Sequence, residues 1–161
     1  MEQDFLTKQE KLRLLVEERP WEGEPDHAEW TDERTGYKCA IHRHPELLHL
    51  NGYVGIPRTN PCYGMSYQEV DDLVKVHGGL TFDTKKDGLK WFGFDTGHAD
   101  DLTPGLLLTM LDVDSTRDWS WKHNTYRSWE FVKAEVENLA FELHQVVGEE
   151  VWSKHDKGAV K

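Results

Sequence analysis

The strongest constraint in the chain is an apolar stripe near its C-terminus. Trp129, Val132, Val136, Leu139, Ala140, Leu143, Val146 and Val147 recur at steps of three and four. That spacing puts side chains on one face of an α-helix. Thr125 or Ser128 can cap the start, and Gly148 the end. At roughly 1.5 Å per residue such a helix is about 30 Å long, enough to cross a small domain. Its stripe has to be buried, either on a sheet of the same chain or on a second copy as a dimer seam.

Much of the preceding sequence alternates with period two, as strands do. Tyr37, Cys39 and Ile41 alternate with Lys38, Ala40 and His42, and Arg34-Thr35-Gly36 links them to residues 27–33 as a hairpin. A further strand is expected over 48–56, where Gly52 and Gly55 mark a bulge or a close backbone approach. Two more, over 80–84 and 89–95, flank a turn ending in Asp87-Gly88. Ser66-Tyr67-Gln68-Glu69 is a capping box that opens a short helix with Val70, Leu73 and Val74 on its inner face, ended by Gly78-Gly79. Leu12, Leu15 and Val16 make residues 4–19 a helix, and Arg19-Pro20 stops it. The resulting fold class is α+β: a small, mainly antiparallel sheet packed by the long C-terminal helix and a shorter N-terminal helix. Residues 1–150 form one globular domain and 151–161 a polar tail.

Charge excludes several functions. The chain has 19 Lys+Arg against 30 Asp+Glu, a formal net charge of −11. Such a surface repels nucleic-acid backbones, so direct nucleic-acid binding is not expected. It serves solubility, or it mimics a polyanion toward a basic protein partner. The 7 Trp, 5 Tyr and 6 Phe are enough for a real core. No apolar run approaches the roughly 18 residues of a membrane span, and the acidic start is unlike a signal peptide, so a cytoplasmic protein is expected. Cys39 and Cys62 form no C-x-x-C pair and read as reduced, buried thiols rather than nucleophiles.

The chemistry concentrates in two stretches, His77-Gly78-Gly79-Leu80-Thr81 and Asp95-Thr96-Gly97-His98-Ala99-Asp100-Asp101. Pairing of the strands over 80–84 and 89–95 brings His77 and Thr81 toward Asp95 and His98. With Trp91 these make a candidate pocket (His77, Thr81, Trp91, Asp95, His98) for a small polar, nucleotide-like ligand. Asp95, His98 and Asp101 offer two oxygens and one nitrogen, a donor set for a divalent metal with water completing the shell. Such a centre would make a metal-dependent hydrolase; without metal, His98 is a general base oriented by Asp95. Trp91, Trp119, Trp121, Tyr53, Tyr63 and Tyr67 either wall a pocket for a flat ligand or fill the core. The run from Asp112 to Asp118 starts like a calcium loop but has Arg117 where Gly is required and His123 where Glu is required. There is no phosphate loop and no G-x-S-x-G elbow.

Gly52-Tyr53-Val54-Gly55-Ile56-Pro57, Asn60-Pro61-Cys62-Tyr63-Gly64, Val76-His77-Gly78-Gly79-Leu80-Thr81 and Trp91-Phe92-Gly93-Phe94-Asp95 with His98 and Asp101, followed by residues 126–139, carry a resemblance. Over roughly residues 36–143 the chain resembles a family of small uncharacterised proteins of bacteriophages and prophages. The resemblance implies a phage-associated accessory protein in the bacterial cytoplasm, with a counter-defence role. It would capture a nucleotide signal or, through acidic residues such as Asp112, Asp114 and Asp118, block a basic host nuclease. It implies no catalytic residues.

Overall fold

The computed structural model describes residues 7–113 and 124–148. Along the chain run α1 (Lys8–Glu18), α2 (Pro20–Gly23), β1 (His27–Thr31), β2 (Lys38–Arg43), β3 (Leu50–Ile56), α3 (Tyr67–Asp71), β4 (Phe82–Lys86), β5 (Leu89–Asp95), α4 (Pro104–Val113) and α5 (Trp129–Gln145). The strands form one five-stranded sheet in the order β1-β2-β3-β5-β4, antiparallel throughout. The chain is α+β, with α5 laid across β2 and β3.

The local signals act as their chemistry requires. Ser66 accepts the amide of Glu69 while the Glu69 carboxylate reaches back to the Ser66 amide, which starts α3. Thr7 and Glu10 do the same for α1. Ser128, not Thr125, caps α5 by accepting the Phe131 amide. Asp87 and Gly88 both take positive φ, 55° and 78°, as a two-residue hairpin turn between β4 and β5 requires. Leu48, also at positive φ, belongs to the turn before β3, so that strand begins at Leu50.

One face of the sheet is the core. Cys39, Ile41, Leu50, Val54, Phe92 and Phe94 are buried there against Val132, Val136, Leu139, Ala140 and Leu143 of α5. Gly52 permits this approach: a β-carbon there would stand 2.5 Å from Val136 Cγ2 and 2.6 Å from Phe94 Cε1. Within α5 the apolar stripe is therefore buried inside the chain, while Val147 just beyond its end is 51% exposed. Two polar anchors hold the helix ends. At the C-terminal end, buried Asn60 donates to the Leu143 carbonyl and to Tyr37 Oη at 2.9 Å each. At the N-terminal end, Glu24 accepts the Trp129 amide and pairs with the buried Arg43 guanidinium at 3.0 Å. The N-terminal helix behaves differently. Leu12, Leu15 and Val16 of α1 are only half-buried, and no residue of α1 belongs to the core cluster.

Among the described residues, no helix is long and apolar enough to cross a membrane.

Candidate functional site

Strand pairing places His77 and Thr81 beside the end of β5. Thr81 Oγ1 donates to Asp95 Oδ2 at 3.4 Å, and the His77 and His98 rings stand edge to face at 6.2 Å. The residue that organises this corner is Asp101, whose side chain is fully buried. Its Oδ1 receives Arg127 Nε at 2.8 Å and His77 Nε2 at 2.8 Å, and its Oδ2 receives the His98 amide at 3.1 Å. Burial alone would raise this carboxyl. The Arg127 guanidinium, His77 and the His98 amide more than offset that and hold it below the usual carboxylate range. The His77 amide in turn donates to Glu135 of α5 at 2.8 Å, and its ring packs edge to face on Phe131.

This corner is a polar clasp. It ties the exit of β5, the loop before β4 and the segment leading into α5 to one another. Asp95 accepts the Gly97 amide at 2.9 Å, and His98 Nε2 lies 3.2 Å from Asp95 Oδ1 but out of hydrogen-bond alignment. Asp95, His98 and Asp101 do not converge on a common point. The Asp101 oxygens are already engaged by a guanidinium, by an imidazole within reach of both of them, and by an amide. Sequence spacing put these three near one another without showing that Arg127, remote in sequence, would claim Asp101.

Trp91 stands apart from the clasp. It lies four residues before Asp95 on β5, about 13 Å along a strand. Its row on the sheet is Thr31, Lys38, Gly55, Trp91 and Thr84. The next row holds Glu29, Ala40, Tyr53, Gly93 and Phe82, and the one after it His27, His42, Asn51 and Asp95. These rows make up the face of the sheet turned away from α5. Rings run across it edge to face, with His42 to Tyr53 at 5.6 Å and Tyr53 to Phe82 at 5.7 Å. Trp91 lies flush on Gly55, where a β-carbon would stand 2.9 Å from the indole.

The face is concave. One cavity of about 350 Å³ is lined by Glu29 of β1 together with Phe82, Thr84 and Lys86 of β4, and floored by His42, Tyr53 and Trp91. β1 and β4 are opposite edges of the sheet, four strand spacings or roughly 19 Å apart if the sheet were flat. Both edges reach one cavity only because the sheet twists and curls. Phe82 is 43% exposed within this hollow. A neighbouring cavity of about 460 Å³ shares Glu29, Asp87 and Trp91 with it and adds Lys38.

A third cavity, of about 660 Å³, opens between β1 and α5 beside Trp30 and Trp129. Its aromatic wall is already engaged: Lys133 Nζ sits 5.8 Å from the Trp30 ring centroid, and Arg34 caps the nearby Phe141. Tyr63, which the sequence offered as an aromatic wall, faces cations instead, with Lys85 Nζ at 5.0 Å. Trp119 and Trp121 lie outside the described residues, as do Asp114 and Asp118, and nothing is described of the Asp112 side chain.

Both cysteines are buried. Burial, with Asp32 and Glu137 nearby, pushes the Cys39 thiol up to about 12, so it is no nucleophile. Among the described residues, one trio of potential metal donors converges, and it lies on the concave face: His27, Glu29 and His42. Compared with known proteins, the chain matches no protein-family model, no curated protein and no solved structure.

Proposed function

We propose that this protein binds a small planar molecule in the concave face of its sheet, against Tyr53, Phe82 and Trp91. The carrying observation is the contrast between the two faces. One packs against α5; on the other, among the described residues, Tyr53, Phe82 and Trp91 line a cavity of about 350 Å³ and Phe82 is exposed. Exposed aromatic rings in a hollow are a stacking surface for a flat heterocycle. The volume is that of a mononucleoside-sized ligand, not of a nucleic-acid strand, and the net charge of −11 disfavours polyanions.

The polar rim narrows the ligand class. Glu29 and Asp87 oppose a single Lys86, so the hollow favours a neutral or cationic heterocycle with hydrogen-bond donors, as a nucleobase or nucleoside offers. In the phage setting that the sequence resemblance implies, such a protein would sequester a nucleoside-like signal of the host. Binding is what the aromatic rings and the polar rim support.

The test is a titration of the intact protein with nucleosides and their monophosphates, followed by tryptophan fluorescence and by melting temperature. A nucleoside should quench the fluorescence and raise the melting temperature. Phe82→Ala should weaken binding about tenfold, the order expected for one lost stacking partner. A panel that shifts neither signal, or an affinity that ignores both Phe82→Ala and Tyr53→Ala, would overturn the reading.

A further inference from the structure

We propose that His27, Glu29 and His42 form a binding site for a divalent transition metal on the face of the sheet opposite α5. His27 and Glu29 are two residues apart on β1 and so project from the same side. The register sets His42 of β2 directly opposite His27. Their Nδ1 atoms lie 2.9 Å apart, with ring centroids at 4.1 Å, and one donor atom from each of the three residues lies within 4.8 Å of the others.

Two imidazole nitrogens face to face need something between them. A single proton suffices: one Nδ1–H donates to the other Nδ1. A metal can replace that proton. With metal–nitrogen bonds of about 2.0–2.1 Å, cis ligands at right angles to tetrahedral angles place their nitrogens roughly 2.8–3.4 Å apart. The observed separation is already at the short end of that range. The Glu29 carboxylate, with an oxygen within 4.8 Å of both nitrogens, reaches the same ion by a rotamer adjustment open to an exposed glutamate.

The donor set selects the ion class. Two imidazoles and one carboxylate suit zinc, cobalt, nickel or copper, whereas calcium and magnesium demand oxygen. The neutral imidazole is the ligating form. His42 is held below the ordinary imidazole range by burial and by His27, with Lys86 from β4 acting in the same direction and Glu29 against it. Tyr53 braces the His42 ring edge to face from β3. The other close histidine pair, His44 and His49, is not equivalent. Their rings stack at 5.2 Å, and His44 Nδ1 already accepts the amides of Glu46 and Leu47.

All three donors are exposed, so the ion can enter from solvent. Glu29 and His42 also line the aromatic hollow. An ion held there would keep open coordination positions beside that hollow, where a ligand donor atom can replace water. Metal capture by these residues requires no ligand in the hollow, so loss of one property leaves the other measurable.

The experiment uses the untagged full chain at about pH 7.5, above the ordinary imidazole range. Zinc is titrated calorimetrically, and cobalt is followed by its visible absorption. One equivalent of zinc per chain is expected. His27→Ala and His42→Ala should each weaken it at least tenfold, Glu29→Gln less so, and the distant His144→Ala not at all. Nitrogen-15 spectra of the histidine rings of the unaltered protein provide a readout that needs no variant: zinc should perturb Nδ1 of His27 and His42 and leave His44 and His49 unchanged. The proposal is overturned if zinc binds with unchanged affinity in both alanine variants. It is equally overturned if the ring spectra of His27 and His42 ignore zinc at millimolar concentration.

Discussion

The imidazole of His98 rests on Gly78: a β-carbon at position 78 would stand 2.3 Å from His98 Nε2. Gly78 also holds a φ of +70°, which side-chain-bearing residues adopt only under strain. Gly78→Ala therefore combines backbone strain with displacement of a ring in the clasp, and should destabilise the fold by about 2 kcal/mol. Gly88→Ala is the control. Its φ is +78° but nothing lies within 4 Å of the added carbon, so strain alone should cost about 1 kcal/mol. Urea unfolding of the two variants measures the difference; equal losses would show that the His98 contact carries no weight.

Asp101 should matter for stability far more than Asp95. Asp101→Asn leaves Arg127 and His77 facing a neutral group at a fully buried position, and about 3 kcal/mol should be lost. Asp95 is partly exposed and its side-chain partners stand farther off, at 3.2 and 3.4 Å, so Asp95→Asn should cost under about 1 kcal/mol. Chemical denaturation of both variants decides this. A larger loss at Asp95 would contradict the clasp.

Acid should act in two windows. Burial lowers His42 and His49 below the ordinary value of 6.5, helped by His27 and His44 respectively. The unfolded chain therefore binds protons first, and stability, complete above that value, should fall as the pH drops through and below it. Asp83 and Asp101 are held below 3.8, because the hydrogen bonds they accept outweigh their burial. Their contribution persists above that value and is lost only as the pH falls further. Melting temperature against pH should show both steps, and His49→Gln should diminish the upper one without touching the lower.

Native cysteines should be silent. Cys39 and Cys62 are both fully buried, and the Cys39 thiol is pushed up to about 12. A chromogenic disulfide reagent should react with neither in the folded protein and with both after denaturation. A fast-reacting thiol in native buffer would reopen the case for cysteine chemistry.

Legibility from the sequence followed the range of the interactions. The stripe of α5, the capping boxes at Thr7 and Ser66, and the Asp87-Gly88 turn each depend on residues within a turn or two of one another. Pairing of β4 with β5 followed from that turn, and with it the approach of Thr81 to Asp95. The burial of α1 was not readable, because its apolar spacing looks the same whether or not a surface waits for it. The candidate metal trio left a partial trace: His27 and Glu29 alternate on one strand, but only the β1–β2 register brings in His42.

By itself, then, the sequence determined the five strands, three of the helices, that the long helix must bury its stripe, and that the chain is acidic and rich in aromatic residues; α2 and α4 fall where it read a loop and an irregular stretch. Those properties come from local periodicity and composition. The tertiary structure decided what faces what. It set α5 against one face of the sheet, kept Trp91 and Asp95 about 13 Å apart on the other, and gave the Asp101 carboxylate to Arg127. The physical reason is that α5 can cover only one face. The other face takes its shape from the twist of the sheet, and twist brings together residues from opposite edges that no spacing in the sequence relates.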